Sequence, residues 1–206
     1  MAREKLQTQI RQEQIARAAL KIVARDGLHG LNVAAVAKEV GIVPSAIYRH
    51  VEGRAGVVDA ALGLVGEGLR TNVDAVRKLT HDPLERLRLL LDRHLVFLME
   101  NPGIPRLVFS EEVSSDPQRR RAMYGSIRSY LGAVAELVRE AQASGQIRAG
   151  LDADTVSRMF LGLIQPAVIL WQLSDGEFDL MEHGMQAWEV LVVALVETES
   201  RPAKAG

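Results

Sequence analysis

A chain of 206 residues and 22.6 kDa is long enough for one large domain or two small ones, and it buries a core without staples. With 48% hydrophobic and 25% charged residues it is not a disordered sequence, and the lack of cysteine excludes a disulfide framework, a thiolate zinc site and a cysteine nucleophile. The net charge of −1 divides unevenly: residues 1–54 hold nine Lys or Arg against five Asp or Glu, and residues 55–206 hold sixteen against twenty-one, a basic head on an acidic body.

Ile15, Ala18, Ala19, Ile22 and Val23 repeat at helical spacing and predict an amphipathic helix that Gly27 ends, with Leu28-His29-Gly30 as a loop. Two shorter helices follow within residues 32–50. Longer ones are predicted around Val58 to Val76, Leu84 to Leu98, Met123 to Ala141, Met159 to Trp171 and Met181 to Leu195, each with steps of three and four. Breakers separate them at Asp82-Pro83, Pro102-Gly103-Ile104-Pro105, Ser114-Ser115-Asp116-Pro117, Gly145, Gly150 and Ser174-Asp175-Gly176. No two-residue alternation bounded by hairpin signals occurs, so the fold class is all-α with about nine helices. The ends, 1–7 and 200–206, are expected to fray. Gln165 and Pro166 interrupt the longest apolar run, Met159 to Trp171, which falls short of the ~20 residues of a membrane span. With no signal-peptide pattern either, the expectation is a cytoplasmic protein without a membrane partner.

Function concentrates in residues 32–50, Asn-Val-Ala-Ala-Val-Ala-Lys-Glu-Val-Gly-Ile-Val-Pro-Ser-Ala-Ile-Tyr-Arg-His. Asn32 suits a helix cap, and Val33, Val36, Ala37 and Val40 form a buried face. Gly41 supplies the left-handed conformation that ends this helix, and Pro44 opens a second one running to His50. Ile47 packs inward, which leaves polar, aromatic and basic side chains outside. A short helix, a glycine turn and a second short helix make a helix-turn-helix, the shape that seats a helix in the DNA major groove.

At this point the sequence resembles the TetR family of bacterial regulators over about residues 10–62. The resemblance rests on Leu31-Asn32-Val33, Val36-Ala37-Lys38-Glu39-Val40-Gly41, Ile47-Tyr48-Arg49-His50 and Val51-Glu52-Gly53-Arg54. Val51 stands where the family has an aromatic, Val43 where it has serine, Arg54 where it has lysine, and Ala46 where it has a hydroxyl residue. The resemblance implies a DNA-binding head, residues 1–53, on a helical effector-binding and dimerisation body, residues 54–206. The DNA-facing set is then Asn32, Val43, Pro44, Ser45, Ala46, Tyr48, Arg49, His50 and Arg54. Tyr48 and His50 reach phosphates, unless Tyr48 is a core aromatic with its hydroxyl outward. Arg49 reaches a base edge or the backbone, and Ser45 and Ala46 lie nearest the groove floor. Arg54, at the start of the next helix, suits a phosphate, and Lys5 and Arg11 add charge. Two-fold symmetry and a pseudo-palindromic operator are expected, because one head buries too little surface.

In the body, three predicted helices offer a lining for a small apolar or amphipathic effector: His94, Phe97 and Leu98; Met123, Ile127 and Tyr130; Met159, Phe160, Leu163 and Gln165. Plain core packing explains the same residues, and His94 reads equally as a satisfied core histidine. The run from Met159 to Trp171 is apolar nearly all round, so it needs cover on every side. A homodimer interface of four helices is expected from Ile164, Val168 and Trp171 with Ala187, Trp188, Leu191 and Leu195, the alternative being that both helices pack wholly inside one monomer. Gln165 must find a partner, across that interface or on a ligand, and Pro166 should kink its helix. Arg119-Arg120-Arg121, Glu111 and Glu112 read as solvated charges.

Enzyme chemistry has little support. The five histidines show no paired metal spacing, Gly63-Leu64-Val65-Gly66-Glu67-Gly68 is not a dinucleotide fingerprint, and Gly-x-Ser-x-Gly does not occur. No catalytic residue, metal or cofactor is expected. The function expected is DNA binding, and the resemblance implies repression, with release from a palindromic operator by a small apolar or amphipathic effector. The alternative is a ligand-independent DNA-binding or protein-recruiting module with a filled body.

Overall fold

The computed structural model describes residues 2–174 and 177–196. Among these residues all regular structure is helical: α1 (Ala2–Asp26), a 3-10 turn (Leu28–Gly30), α2 (Val33–Val40), α3 (Pro44–Ile47), α4 (Gly53–Leu79), α5 (Pro83–Glu100), α6 (Gly103–Val108), α7 (Glu111–Ser114), α8 (Pro117–Ala143), α9 (Ala153–Leu173) and α10 (Leu180–Leu195). The all-α class stands. Ten α-helices replace the nine expected, because α6 and α7 form in a stretch read as breakers. Pro105 lies in the first turn of α6, where a missing N–H removes no helical bond, and Ser110 caps α7 by accepting from the Val113 N–H at 3.3 Å. Leu28-His29-Gly30 is a 3-10 turn rather than a loop. The first helix reaches back to Ala2, where fraying was expected. The other expected frayed end, 200–206, lies outside the described residues.

The chain divides into two compact units, Met1–Leu69 with Phe97–Ile127, and Arg70–Val96 with Arg128–Gly206. The expected head lies wholly within the first. In that unit the predicted stripe of α1 is core, with Ile15, Ala19, Ile22 and Val23 fully buried. Ala16 and Leu20 are buried as well, because α1 packs on α2 and on α6. The α1–α6 approach is close enough to require Gly103, whose missing Cβ would overlap the Leu20 carbonyl oxygen. The same residue class serves α4: Gly66 lies under Ser126 and Gly68 under the Phe97 ring, which explains the glycines near residue 66.

The second unit has its core in Leu87, Leu91 and Leu95 of α5, Val134, Leu137 and Val138 of α8, and Phe160, Ile164 and Trp188 of α9 and α10. Phe160 and Trp188 meet edge to face at 6.4 Å. Glu140 ties α8 to α4 and α5 through Arg77 at 2.8 Å and Arg86 at 2.7 Å. α9 is continuous through Pro166. Among the described residues it is the one helix long and apolar enough to cross a membrane, with mean hydropathy 1.3 over its most apolar window. Phe160, Ile164, Ala167 and Val168 of that helix are nonetheless core of the second unit.

Candidate nucleic-acid interface

The helix-turn-helix is built from local bonds that its sequence dictates. Asn32 adopts an extended backbone, its Oδ1 accepts from the Ala35 N–H at 2.9 Å, and its Nδ2 donates to the Gly30 carbonyl at 3.3 Å. One bond at each end of the amide goes to the cap, so Asn32 shapes the interface from its edge. Gly41 turns the chain at φ 78°, and the Ile42 N–H returns to the Ala37 carbonyl at 2.9 Å. Val43 caps α3 through its backbone alone, as its lack of a hydroxyl predicts, and Pro44 occupies the first turn.

The second helix is shorter than its expected run to His50. It ends at Ile47, whose carbonyl accepts from both the His50 and Val51 N–H groups, and Tyr48-Arg49-His50 form a turn. Ile47 is fully buried and fixes this corner. Pro44, Ser45 and Arg49 are exposed, Val43 is 64% and Tyr48 62% exposed, and Ala46 is half-buried. Tyr48 is therefore no core aromatic. Five of the expected side chains form one outward surface that runs from small and apolar at its N-terminal end to aromatic and cationic at its C-terminal end. His50 departs from it: its ring Nδ1 is buried without a hydrogen-bond partner, and its carbonyl accepts from Gln12 Nε2 at 3.1 Å. Arg11 is half-buried, and the side chain of Lys5 lies outside the described residues.

Arg54, expected at a phosphate, is engaged within the protein. Its Nε donates to the Leu31 carbonyl at 2.8 Å, its Nη2 to the Leu28 carbonyl at 3.1 Å, and its two Nη groups grip Glu112 at 2.7 Å each. Arg119, read as a solvated charge, is 12% exposed and donates to Asp59 at 2.8 Å, to the Ala55 carbonyl at 3.2 Å and to Glu112 at 3.3 Å. Sequence reasoning missed this ion chain because its members lie 58 and 60 residues apart and no local pattern links them.

The body candidates divide between the two units. Phe97, Leu98, Met123 and Ile127 fall in the first unit and the other six in the second. His94 and Tyr130 do meet, Nδ1 to hydroxyl at 2.9 Å, with both residues buried. Burial depresses the His94 imidazole to about 4 and pushes the Tyr130 phenol upward, so the pair is neutral. Met159 and Gln165 face outward on α9 and leave the proposed lining.

The dimer candidates need the opposite correction. Ile164, Val168, Trp188, Leu191 and Leu195 are buried within the chain itself, between α9, α10 and their neighbours, and Trp171 and Ala187 are half-buried. The uncovered face carries Met159, Pro166, Ile169 and Leu170 of α9, with Leu173 at 77%, and Val190 and Val193 of α10 at 74% each.

The helix-turn-helix region matches the family model described as bacterial regulatory proteins, tetR family, over residues 15–61. Residues 80–195 match the tetracyclin repressor-like C-terminal domain. The fatty acid metabolism regulator protein of Bacillus subtilis (strain 168) is 26% identical over 184 residues, covering 87% of this chain and 92% of that protein. The nucleoid occlusion factor SlmA of Shewanella loihica is 24% identical over 82% of this chain and 86% of that one. The solved structure of the transcriptional regulator FadR from Bacillus subtilis in complex with stearoyl-CoA superimposes with a TM-score of 0.73 at 24% identity, covering 88% of this chain and 98% of that one. A built helix-turn-helix followed by a matching C-terminal helical domain leaves one conclusion: the chain belongs to the tetR family of bacterial, DNA-binding transcriptional regulators.

Proposed function

We propose that this regulator is a homodimeric repressor that leaves a pseudo-palindromic operator when an acyl or comparably amphipathic molecule binds its body. The observation that carries the DNA half is the surface from Val43 to Arg49, exposed on a correctly capped helix-turn-helix with Ile47 buried beneath it. Ser45 and the edge of Ala46 take base edges, and Tyr48 and Arg49 take the backbone. Residues 1–53 form the head in this reading and residues 54–206 the effector-binding and dimerising body. It acts where the chromosome is, in the cytoplasm, and has no catalytic role.

A second copy covers the open face of α9 and α10. That face is apolar, with Leu173, Val190 and Val193 exposed on it. The effector half draws on the fatty-acid regulator relative and on the structure with stearoyl-CoA. In this chain the second unit keeps, from the expected lining, Phe160 and the His94–Tyr130 pair, a neutral polar anchor. Binding to a body conformation that misplaces the heads shifts the population off DNA.

The experiment is a band shift on a duplex enriched by the protein from a random pool, titrated with stearoyl-CoA. Release at micromolar acyl-CoA supports the proposal. Unchanged binding across the titration favours the second reading, a ligand-independent DNA-binding or protein-recruiting module, which the similarity to a nucleoid occlusion factor supports.

A further inference from the structure

The outward surface ends at Arg49, and a connected set of ionic contacts lies elsewhere in the first unit. The Leu28 carbonyl, at the start of the 3-10 turn, and the Leu31 carbonyl, just past its end, both accept from the Arg54 guanidinium, and α2 begins two residues after Leu31 at Val33. Arg54 in turn is held by both oxygens of Glu112, a bidentate pair at 2.7 Å on each side. Glu112 is not free to follow Arg54 outward. It sits on α7, capped by Ser110, and its Oε1 also accepts from Arg119. Arg119 is anchored to the first two turns of α4 through Ala55 and Asp59. The chain of contacts therefore closes on itself: turn to Arg54, Arg54 to Glu112, Glu112 to Arg119, Arg119 back to α4.

Arg54, Glu112 and Arg119 each make more than one charge-assisted bond in this loop, and none of the bonds named joins residues 43–49. We infer that Glu112 is a positioning residue for operator binding: through Arg54 it fixes the turn from which α2 and α3 start, and so sets where the DNA-facing surface stands on the first unit. This rests on the operator-binding reading above. A carboxylate beside a DNA-binding head repels phosphate, so removing its charge should tighten binding if charge alone mattered. Positioning predicts the opposite sign, and misplacement should harm base readout while sparing backbone attraction.

The test uses the full-length protein, a duplex enriched from a random pool by the wild type, and an unselected duplex. Glu112→Gln is close to isosteric, and Arg54→Lys keeps the charge that a phosphate contact would need but cannot span two carbonyls and a carboxylate. Both variants are expected to lose about tenfold or more of affinity for the enriched duplex, the scale of one charge-assisted bond, and to keep wild-type affinity and salt dependence on the unselected duplex. Unchanged or tighter binding of the enriched duplex by either variant overturns the inference, as does an equal loss on both duplexes. A wild type that enriches nothing overturns the operator-binding reading itself, and the inference with it.

Discussion

At the scale of single residues, exposure separates the groups that read DNA from those that hold the reader. Tyr48 is 62% exposed and packs on little, so Tyr48→Ala should lower operator affinity about tenfold in band shifts while the thermal midpoint stays within experimental scatter. Arg54 looked equivalent in the sequence, a cation at the start of a helix. Its four bonds to Leu28, Leu31 and Glu112 show why sequence could not sort the two: the deciding partner is 58 residues away. His94 carries a titration signature instead. Burial holds its imidazole at about 4, below the ordinary value of 6.5, so the unfolded chain binds that proton more readily than the folded one. Stability from this group is present above pH 6.5 and is lost as pH falls toward 4, by about 2 kcal/mol between pH 7 and pH 5. Urea unfolding at the two pH values should show that loss in the wild type. The loss should shrink in His94→Gln, which keeps an acceptor for the Tyr130 hydroxyl and cannot titrate; an equal loss in both proteins would assign it elsewhere.

At the scale of elements, the sequence was most legible where local rules decide. The α1 stripe, the Asn32 cap, the Gly41 turn and Pro44 at the start of α3 were all readable, because each depends on neighbours within four residues. It was least legible between Pro102 and Pro117. There prolines that sit in first helical turns looked like breakers, and two short helices went unread. The apolar faces of α9 and α10 were ambiguous for another reason. Both helices are apolar on two sides, so periodicity alone could not say which side is core; Ile164 and Trp188 went inward, and Ile169 and Val193 outward. Close helix approach leaves a sharper mark. A methyl at Gly103 would overlap the Leu20 carbonyl, which is backbone and cannot swing aside. Gly103→Ala should therefore destabilise the protein by about 1–3 kcal/mol, despite the better helix propensity of alanine, and lower the thermal midpoint by several degrees. An unchanged or raised midpoint would mean that α6 lies farther from α1 than described.

At the scale of the whole molecule, α4, α5 and α8 each contribute residues to both compact units, and α9 and α10 leave an apolar face open in the second. Covering that face with a second copy makes a specific demand on Val193, which is 74% exposed. Val193→Glu should yield a folded monomer in sedimentation at micromolar concentration, with operator affinity reduced by orders of magnitude because half-sites are no longer bound together. A variant that stays dimeric would move the interface elsewhere. The central claim remains that two copies present the Val43–Arg49 surface to base-pair edges. Selection from a random duplex pool by the purified protein at moderate ionic strength, read by sequencing, tests it most directly. The account predicts a two-fold-symmetric motif with half-sites about one helical turn apart or slightly more, and a weakened motif from Tyr48→Ala. Enrichment of no motif, or undiminished enrichment by the Tyr48 variant, would contradict it.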